Sequence, residues 1–182
     1  MIHPDIDCMT IQERLPPVIG FSAFSGTGKT TLLIKVINLL REKDIRLAVI
    51  KHAHHDFEID HPGKDSYKLR KAQSYQTLIS SAKRKALITE FEPFQQEPTL
   101  NELIADLDHQ NIDLILVEGF KREHFAKIEL NRKSLGKPYL FENDNDIIAL
   151  ATDHPVQADT DLMLLDMNDP HKIAEFIFNL IC

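Results

Sequence analysis

The segment from Ala23 to Thr30 has the residue types and the spacing of a phosphate-binding P-loop. The usual pattern is G-x-x-x-x-G-K-[ST], and Ala23 occupies the position of its first glycine. Gly26 and Gly28 let the backbone take conformations that other residues rarely adopt and approach an anion closely. Successive backbone N–H groups, together with the N-terminus of a following helix, can then surround phosphate oxygens.

Lys29 and Thr30 carry the predicted chemistry of this loop. The lysine is expected to contact the β- and γ-phosphates of a nucleotide, and the threonine hydroxyl to ligate Mg²⁺. Lys29 is also predicted to act in catalysis, because its charge and the loop amides would stabilise charge that develops during phosphate hydrolysis. The alternative is a flexible turn that contains an incidental lysine.

The segments on either side of the loop favour the P-loop over that alternative. Residues 18–23 follow Pro16-Pro17 and are predicted to form a short strand. Downstream, apolar residues recur at helical spacing as far as Leu40, and the polar segment 41–44 ends a predicted helix. A strand, a glycine-rich turn and a helix are the context that a P-loop requires. The chain is therefore predicted to bind a nucleotide.

A second apolar strand, predicted over 113–119, ends in an acid and a glycine. Because Glu118 follows buried residues, its carboxylate should reach the carboxyl edge of the sheet, where ligands bind in open α/β folds. We expect Glu118 to hold Mg²⁺ directly or through water, and Gly119 to let the backbone pass close to the γ-phosphate. Asp113 begins the same strand and should lie at the wrong end. The alternative is an acid that only terminates a buried strand.

The polar segment 51–65 leaves three interpretations open. The imidazoles of the His52–His61 cluster suit a transition metal, although their spacing matches no structural zinc pattern and no thiol is nearby in the sequence. A switch segment would instead bring an acid to the γ-phosphate to position Mg²⁺ or the attacking water. Asp65 and Asp56 are the candidates for that catalytic role. The third interpretation is a polar surface loop.

Length and composition predict a single cytoplasmic domain over 17–182, preceded by a tail over 1–16. A chain of 182 residues with 43% hydrophobic content can bury an ordinary core. No apolar run approaches the about 20 residues that span a bilayer, so no membrane contact is expected. Cys8 and Cys182 are predicted to be reduced thiols. The net charge of −7 argues against nucleic-acid binding, although segment 121–137 is basic enough to suit an anionic ligand.

Strands and helices are predicted to alternate along the rest of the chain. Further strands are expected over 46–52, 77–81, 86–91, 126–131, 146–152 and 162–165, and further helices over 64–72, 100–107 and 171–181. This order predicts an α/β fold of the P-loop NTPase type, with a doubly wound, mostly parallel sheet flanked by helices.

Four segments, AFSGTGKTTLL, IKHAHHDFEID, PGKDSYKLRKA and DLILVEGFKRE, closely resemble in this order the MobB family of molybdopterin-guanine dinucleotide biosynthesis proteins. The resemblance covers nearly the whole chain from about Val18. It implies a homodimeric, GTP-binding protein with weak GTPase activity that uses Mg²⁺. It also implies that the protein assists the guanylyltransferase that attaches GMP to molybdopterin, with molybdopterin as a second candidate partner. The family's phosphate-binding positions correspond here to Ser25, Gly26, Thr27, Gly28, Lys29, Thr30 and Thr31.

The residues themselves leave the nucleotide and two other functions open. The Asn-Lys-x-Asp motif that recognises guanine in many GTPases does not occur in the sequence, so ATP and GTP are not distinguished. A small-molecule kinase would use the same P-loop and transfer phosphate to an acceptor. A metallochaperone would use the His52–His61 cluster, with nucleotide hydrolysis gating release of the metal.

Overall fold

The computed structural model describes residues 15–53, 57–91, 96–156 and 159–182. The chain forms two compact units: the first holds the chain up to His52 and from Ile104 to Cys182, and the second is Ala53–Leu103. Most of the predicted tail lies outside the described residues, and the single domain over 17–182 stays a prediction. No helix in the described part is long and apolar enough to cross a membrane.

The observed elements follow the predicted ones closely, with ends that differ by a few residues. In chain order they are β1 (Val18–Ala23), α1 (Lys29–Glu42), β2 (Leu47–Lys51), α2 (Asp65–Lys71), β3 (Gln76–Ser80), β4 (Lys85–Thr89), α3 (Leu100–Ala105), β5 (Leu114–Glu118), β6 (Lys127–Asn131), β7 (Ile147–Thr152), β8 (Met163–Asp166) and α4 (Pro170–Ile181).

The first unit is built on a six-stranded sheet in the order β2-β5-β1-β6-β7-β8, and each of these pairings is parallel. The chain leaves β1 toward β2 at one edge and leaves β6 toward β7 and β8 at the other edge. Connections that diverge in this way open a crevice at the carboxyl ends of the central strands. The predicted α/β fold with a mostly parallel sheet is confirmed.

The core of the first unit lies between one face of the sheet and helices α1 and α4. Strand β5 is apolar from Leu114 to Val117, and all of these side chains are 0% exposed. Such a continuous apolar run is typical of a central parallel strand that is covered on both faces. Ile19 and Phe21 of β1, with Val36 of α1, belong to the same buried cluster. The edge that carries the P-loop is therefore anchored by close packing.

Strand β6 is unusual because one of its faces buries polar side chains. Ile128 and Leu130 enter the core, so the alternation of a strand directs Lys127, Glu129 and Asn131 to the opposite face. All three are at most 5% exposed. The Lys127 ammonium lies 3.0 Å from a carboxylate oxygen of Asp144, in the connection that folds back along β6. This connection, residues 132–146, is called the strap below.

Glu129 and Asn131 bind the backbone of the strap. The Glu129 carboxylate accepts the N–H groups of Leu140 and Phe141, each at 2.9 Å. Burial raises the pKa of Glu129, although these N–H groups act against the rise. The Asn131 amide donates to the carbonyl oxygen of Pro138 at 3.4 Å. The polar face of β6 therefore fixes the path of the strap.

The second unit contains an antiparallel hairpin that forms a sheet of its own. Leu78 of β3 pairs with Leu87 of β4, and α2 packs on β3. The Arg70 side chain of α2 is 7% exposed and forms ion pairs with Glu58 and Glu90. These contacts balance the charge of a guanidinium that is almost removed from water, although its buried Nε has no hydrogen-bond partner among the described residues.

Candidate functional site

The P-loop connects the end of β1 to the start of α1. Gly26 and Gly28 have φ values of +82° and +91°, in the left-handed region that glycine adopts most easily. Gly28 is the N-cap of α1, and no side chain caps the helix. The first N–H groups of α1 therefore remain available to an anion, in the field of the positive end of the helix.

Lys29, Thr30 and Glu118 meet at the mouth of this loop. The Lys29 ammonium lies 3.6 Å from Glu118 Oε1, and the Thr30 hydroxyl donates to the same oxygen at 3.4 Å. Lys51 approaches the other carboxylate oxygen to 3.8 Å. Strands β2, β5 and β1 are neighbours, and their register brings Lys51, Glu118 and Phe21 level across the sheet. Sheet geometry therefore delivers the carboxylate to the P-loop.

The Thr30 hydroxyl and the Glu118 carboxylate suit a magnesium ion. Both are oxygen ligands of the kind that Mg²⁺ prefers, and they lie within hydrogen-bond distance of each other. The Glu118 side chain is only 12% exposed, so its charge is partly removed from water and is balanced by two lysines. A bound nucleotide would give Lys29 an alternative anionic partner.

Gly119 is required by close packing at the end of β2. Its φ is +110°, and a Cβ built at this position would come within 2.6 Å of the Cβ of His52. The backbone N–H of His52 donates to the carbonyl of Glu118 at 2.8 Å, which holds the two segments together. A side chain at 119 would separate β2 from the end of β5. The predicted approach of Gly119 to a γ-phosphate stays a prediction.

Lys121 binds the backbone at the start of the P-loop, a role that the sequence did not indicate. Its ammonium donates to the carbonyl of Ala23 at 2.8 Å. Burial, together with the nearby charge of Lys29, lowers the pKa of Lys121. The ammonium groups of Lys121 and Lys137 each lie 5.8 Å from the ring centre of Phe24. The only sequence signal for these lysines was the basic segment 121–137.

Arg132 fixes the P-loop from the other side. It follows β6 directly, and its Nε donates to the carbonyl of Thr27 at 3.1 Å. Its Nη1 lies 3.2 Å from Asp153, whose pKa is lowered chiefly by the backbone N–H of Lys133. The Thr27 hydroxyl donates to the carbonyl of Phe24 at 2.7 Å, so it stabilises the loop internally. The Thr27 N–H donates to the same carbonyl at 3.4 Å, so both donors of this residue stabilise the loop internally.

The remaining predicted site residues fall in three places. Ser25 is exposed in the P-loop, and Thr31 is exposed in the first turn of α1. Asp65 begins α2 in the second unit, where its side chain is 92% exposed and pairs with Lys68 at 3.1 Å. Its catalytic role stays a prediction.

The histidine-rich segment is described only in part. His54, His55 and Asp56 lie outside the described residues. His52 is the last residue of the N-terminal segment of the first unit, and its ring centre lies 5.0 Å from that of Phe120. Within the described ranges, no group of three or more His, Cys, Asp or Glu side chains is placed to hold a metal ion.

Comparison of sequences identifies relatives along most of the chain. The model of the family described as "Molybdopterin guanine dinucleotide synthesis protein B" (MobB) matches residues 18–153. The molybdopterin-guanine dinucleotide biosynthesis adapter protein of Escherichia coli K12 is 48% identical over 166 residues, which cover 91% of this chain and 93% of the relative. The protein of the same name from Haemophilus influenzae is 42% identical, over 90% of this chain and 88% of the relative.

Solved structures share the fold at lower sequence identity. A crystal structure of MobB from Bacillus subtilis superposes with a TM-score of 0.71, at 22% identity, over 91% of this chain and 98% of that chain. A crystal structure of molybdopterin-guanine biosynthesis protein B gives a TM-score of 0.68, at 24% identity, over 90% of this chain and 99% of that chain. These similarities concern the fold alone.

Proposed function

We propose that this chain, which belongs to the MobB family, is a nucleotide-binding adapter in the synthesis of molybdopterin guanine dinucleotide. It binds GTP with Mg²⁺ and hydrolyses it slowly. The observation that carries the nucleotide part is the meeting of Lys29, Thr30 and Glu118 at an uncapped helix N-terminus. The adapter role is supported by the names of relatives that align along about nine tenths of this chain.

In the proposed complex, the phosphates occupy the P-loop. The free N–H groups of the loop and of the first turn of α1, together with the Lys29 ammonium, bind their oxygens, which places the strongest positive field at the terminal phosphates. Thr30 and Glu118 hold Mg²⁺, which when bound neutralises phosphate charge and orients the terminal phosphate. Lys121 and Arg132 hold the carbonyls of Ala23 and Thr27, so that the loop is preorganised before the nucleotide arrives.

Slow turnover follows from the role of the acid in this site. Glu118 would hold Mg²⁺, so it is not placed to act as the base that takes a proton from an attacking water. Hydrolysis then depends on charge stabilisation by Lys29 and the loop amides. Slow hydrolysis keeps the nucleotide in the site, which suits an adapter protein whose nucleotide-bound form is recognised by a partner protein.

The partner in this proposal is the guanylyltransferase that attaches GMP to molybdopterin. The basic side chains that surround the P-loop, Lys121, Arg132 and Lys137, would attract an anionic pterin or an acidic surface of that enzyme. We further propose that the chain acts as a homodimer, as the family resemblance implies.

Calorimetric titration with GTP and with ATP, each with Mg²⁺, tests the nucleotide part. We expect tight binding of GTP that is lost in Lys29→Ala, because the substitution removes the cation closest to the phosphates. Lys43→Ala is the matched control, since Lys43 directly follows α1, at the end opposite the P-loop, and its ammonium lies 4.7 Å from the ring centre of Phe178. Preferential binding of ATP, with turnover that depends on a small-molecule acceptor, would instead support a kinase.

A further inference from the structure

A cavity of about 360 Å³ opens beside the P-loop, within the first unit. Gly26, Thr27 and Gly28 form one wall, and residues after β6 and β8 contribute to the others. Thr31 and Lys35, one helical turn apart on α1, line it as well. A cavity of this size can hold a group as large as a nucleoside.

The order of the strands gives the P-loop two different flanks. Glu118 ends β5, which lies on one side of β1, and it meets Lys29 and Thr30 there. The cavity lies on the other side, where Arg132 follows β6 and Asn168 follows β8. A nucleotide whose terminal phosphates lie near Glu118 therefore extends across the P-loop toward the cavity.

The lining of the cavity combines apolar and polar groups. Met167 is 4% exposed and, with Pro170, supplies an apolar surface. Asn168 supplies an amide that has no side-chain hydrogen bond to any described residue. Its backbone is fixed, because its N–H donates to Asp166 at 2.8 Å. A few polar groups on an apolar surface are typical of pockets that recognise a flat, polar ring.

Arg132 also lines the cavity, next to the P-loop. Its Nε and Nη1 are held by Thr27 and Asp153, which leaves Nη2 3.7 Å from the position that a Cβ would occupy at Gly28. A guanidinium only donates hydrogen bonds. Guanine presents two acceptors, O6 and N7, on one edge, whereas adenine replaces O6 with an amino donor. A guanidinium that faces this edge of the base can donate to both acceptors of guanine and only to N7 of adenine, which favours guanine.

We propose that this cavity is the nucleoside subsite of the protein, with Asn168 and Arg132 recognising the base of a guanine nucleotide. The inference rests on the proposed nucleotide binding and adds to it where the nucleoside lies and which residues discriminate the base.

The test compares ligands with and without a nucleoside. GTP, ATP and inorganic tripolyphosphate, each with Mg²⁺, are titrated into the full chain, into Asn168→Leu and into the control Asn179→Leu. Asn179 is an exposed residue near the end of α4. We expect Asn168→Leu to weaken GTP binding about tenfold, as for the loss of one hydrogen bond to a ligand, and to leave tripolyphosphate binding unchanged. The control should bind all three ligands as the native chain does.

A second variant tests the preference for guanine. Arg132→Met keeps the length of the side chain and removes its donors, so the ratio of GTP affinity to ATP affinity should fall toward one. Arg132 also holds Thr27, so some loss of affinity for every phosphate ligand is expected, and the ratio is the informative quantity.

The outcomes separate this inference from the function on which it rests. If Asn168→Leu leaves GTP binding unchanged, or if native protein binds tripolyphosphate as tightly as GTP, the subsite is wrong while phosphate binding by the P-loop stands. An equal loss of GTP and tripolyphosphate binding in Asn168→Leu, or an unchanged GTP-to-ATP ratio in Arg132→Met, also overturns it. A native chain that binds none of the ligands overturns both proposals.

Discussion

The two units of this protein are stabilised in different ways. In the first unit, the central strand β5 has no solvent-exposed side chain from Leu114 to Val117. In the second unit, the paired residues Leu78 and Leu87 are 64% and 58% exposed, and a buried Arg70 is balanced by carboxylates. Apolar burial therefore dominates the first unit, whereas specific charge pairing contributes more to the second.

The residues of the candidate site lie in the more tightly packed of the two units. The P-loop, Glu118 and Arg132 all lie at strand ends of the six-stranded sheet, whose packed core resists local opening. A site that binds phosphate through backbone N–H groups requires such rigidity, because small displacements misalign several hydrogen bonds at once. The hairpin, with one half-exposed face, is expected to open more readily.

Truncation of a leucine should reduce the free energy of unfolding far more in the first unit than in the second, and this is the largest change that we expect. Leu116→Ala should destabilise the protein by about 2–5 kcal/mol, because it leaves a cavity in a strand that is covered on both faces. The matched Leu87→Ala, at a half-exposed position of the hairpin, should change the free energy of unfolding by no more than about 0.5 kcal/mol. Urea unfolding followed by circular dichroism measures both. Equal losses would show that the hairpin is as tightly packed as the sheet.

An intermediate effect is expected from the buried cation of the second unit. Arg70→Met removes the guanidinium that joins Glu58 and Glu90. Glu58 keeps its ion pair with Lys71 at 3.1 Å, whereas Glu90 loses the ion pair with Arg70. Amide hydrogen exchange should become faster in α2, β3 and β4 and should stay unchanged in β5 and β1. Arg84→Met, at the exposed turn of the hairpin, is the control. Faster exchange throughout the six-stranded sheet would contradict the separation of the two units.

The smallest expected effect concerns a surface ion pair of the first unit. Arg46 lowers the pKa of Asp113 to about 2 through its side-chain and backbone hydrogen bonds. Because the folded pKa lies below the unfolded value of about 3.9, the stabilisation is present above about pH 4 and is lost as the pH falls toward 2. Asp113→Asn should therefore lower the unfolding midpoint slightly at pH 7 and by much less at pH 2. A difference that stays the same at both pH values would indicate a role other than this charge.

The strand and helix positions were predictable because each depends on local sequence. The apolar run before Glu118 predicts a strand close to the observed β5, and the helical spacing after Lys29 predicts a helix close to the observed α1. The buried polar face of β6 was not predictable, because Lys127 and Glu129 find their partners in the strap, beyond the end of the strand. A lysine and a glutamate in an otherwise apolar segment ordinarily indicate an exposed face.

The P-loop, the helix that follows it and the acid at the end of β5 can all be read from the residues alone. These features depend on residue types at fixed spacing, which local backbone geometry converts directly into structure. Two contacts of the site depend on the tertiary fold. Strand β5 lies beside β1, which brings Glu118 to Lys29, and Arg132, which follows β6, donates to the carbonyl of Thr27. Strand order and side-chain contacts over long separations depend on the packing of the whole sheet, and no local pattern encodes them.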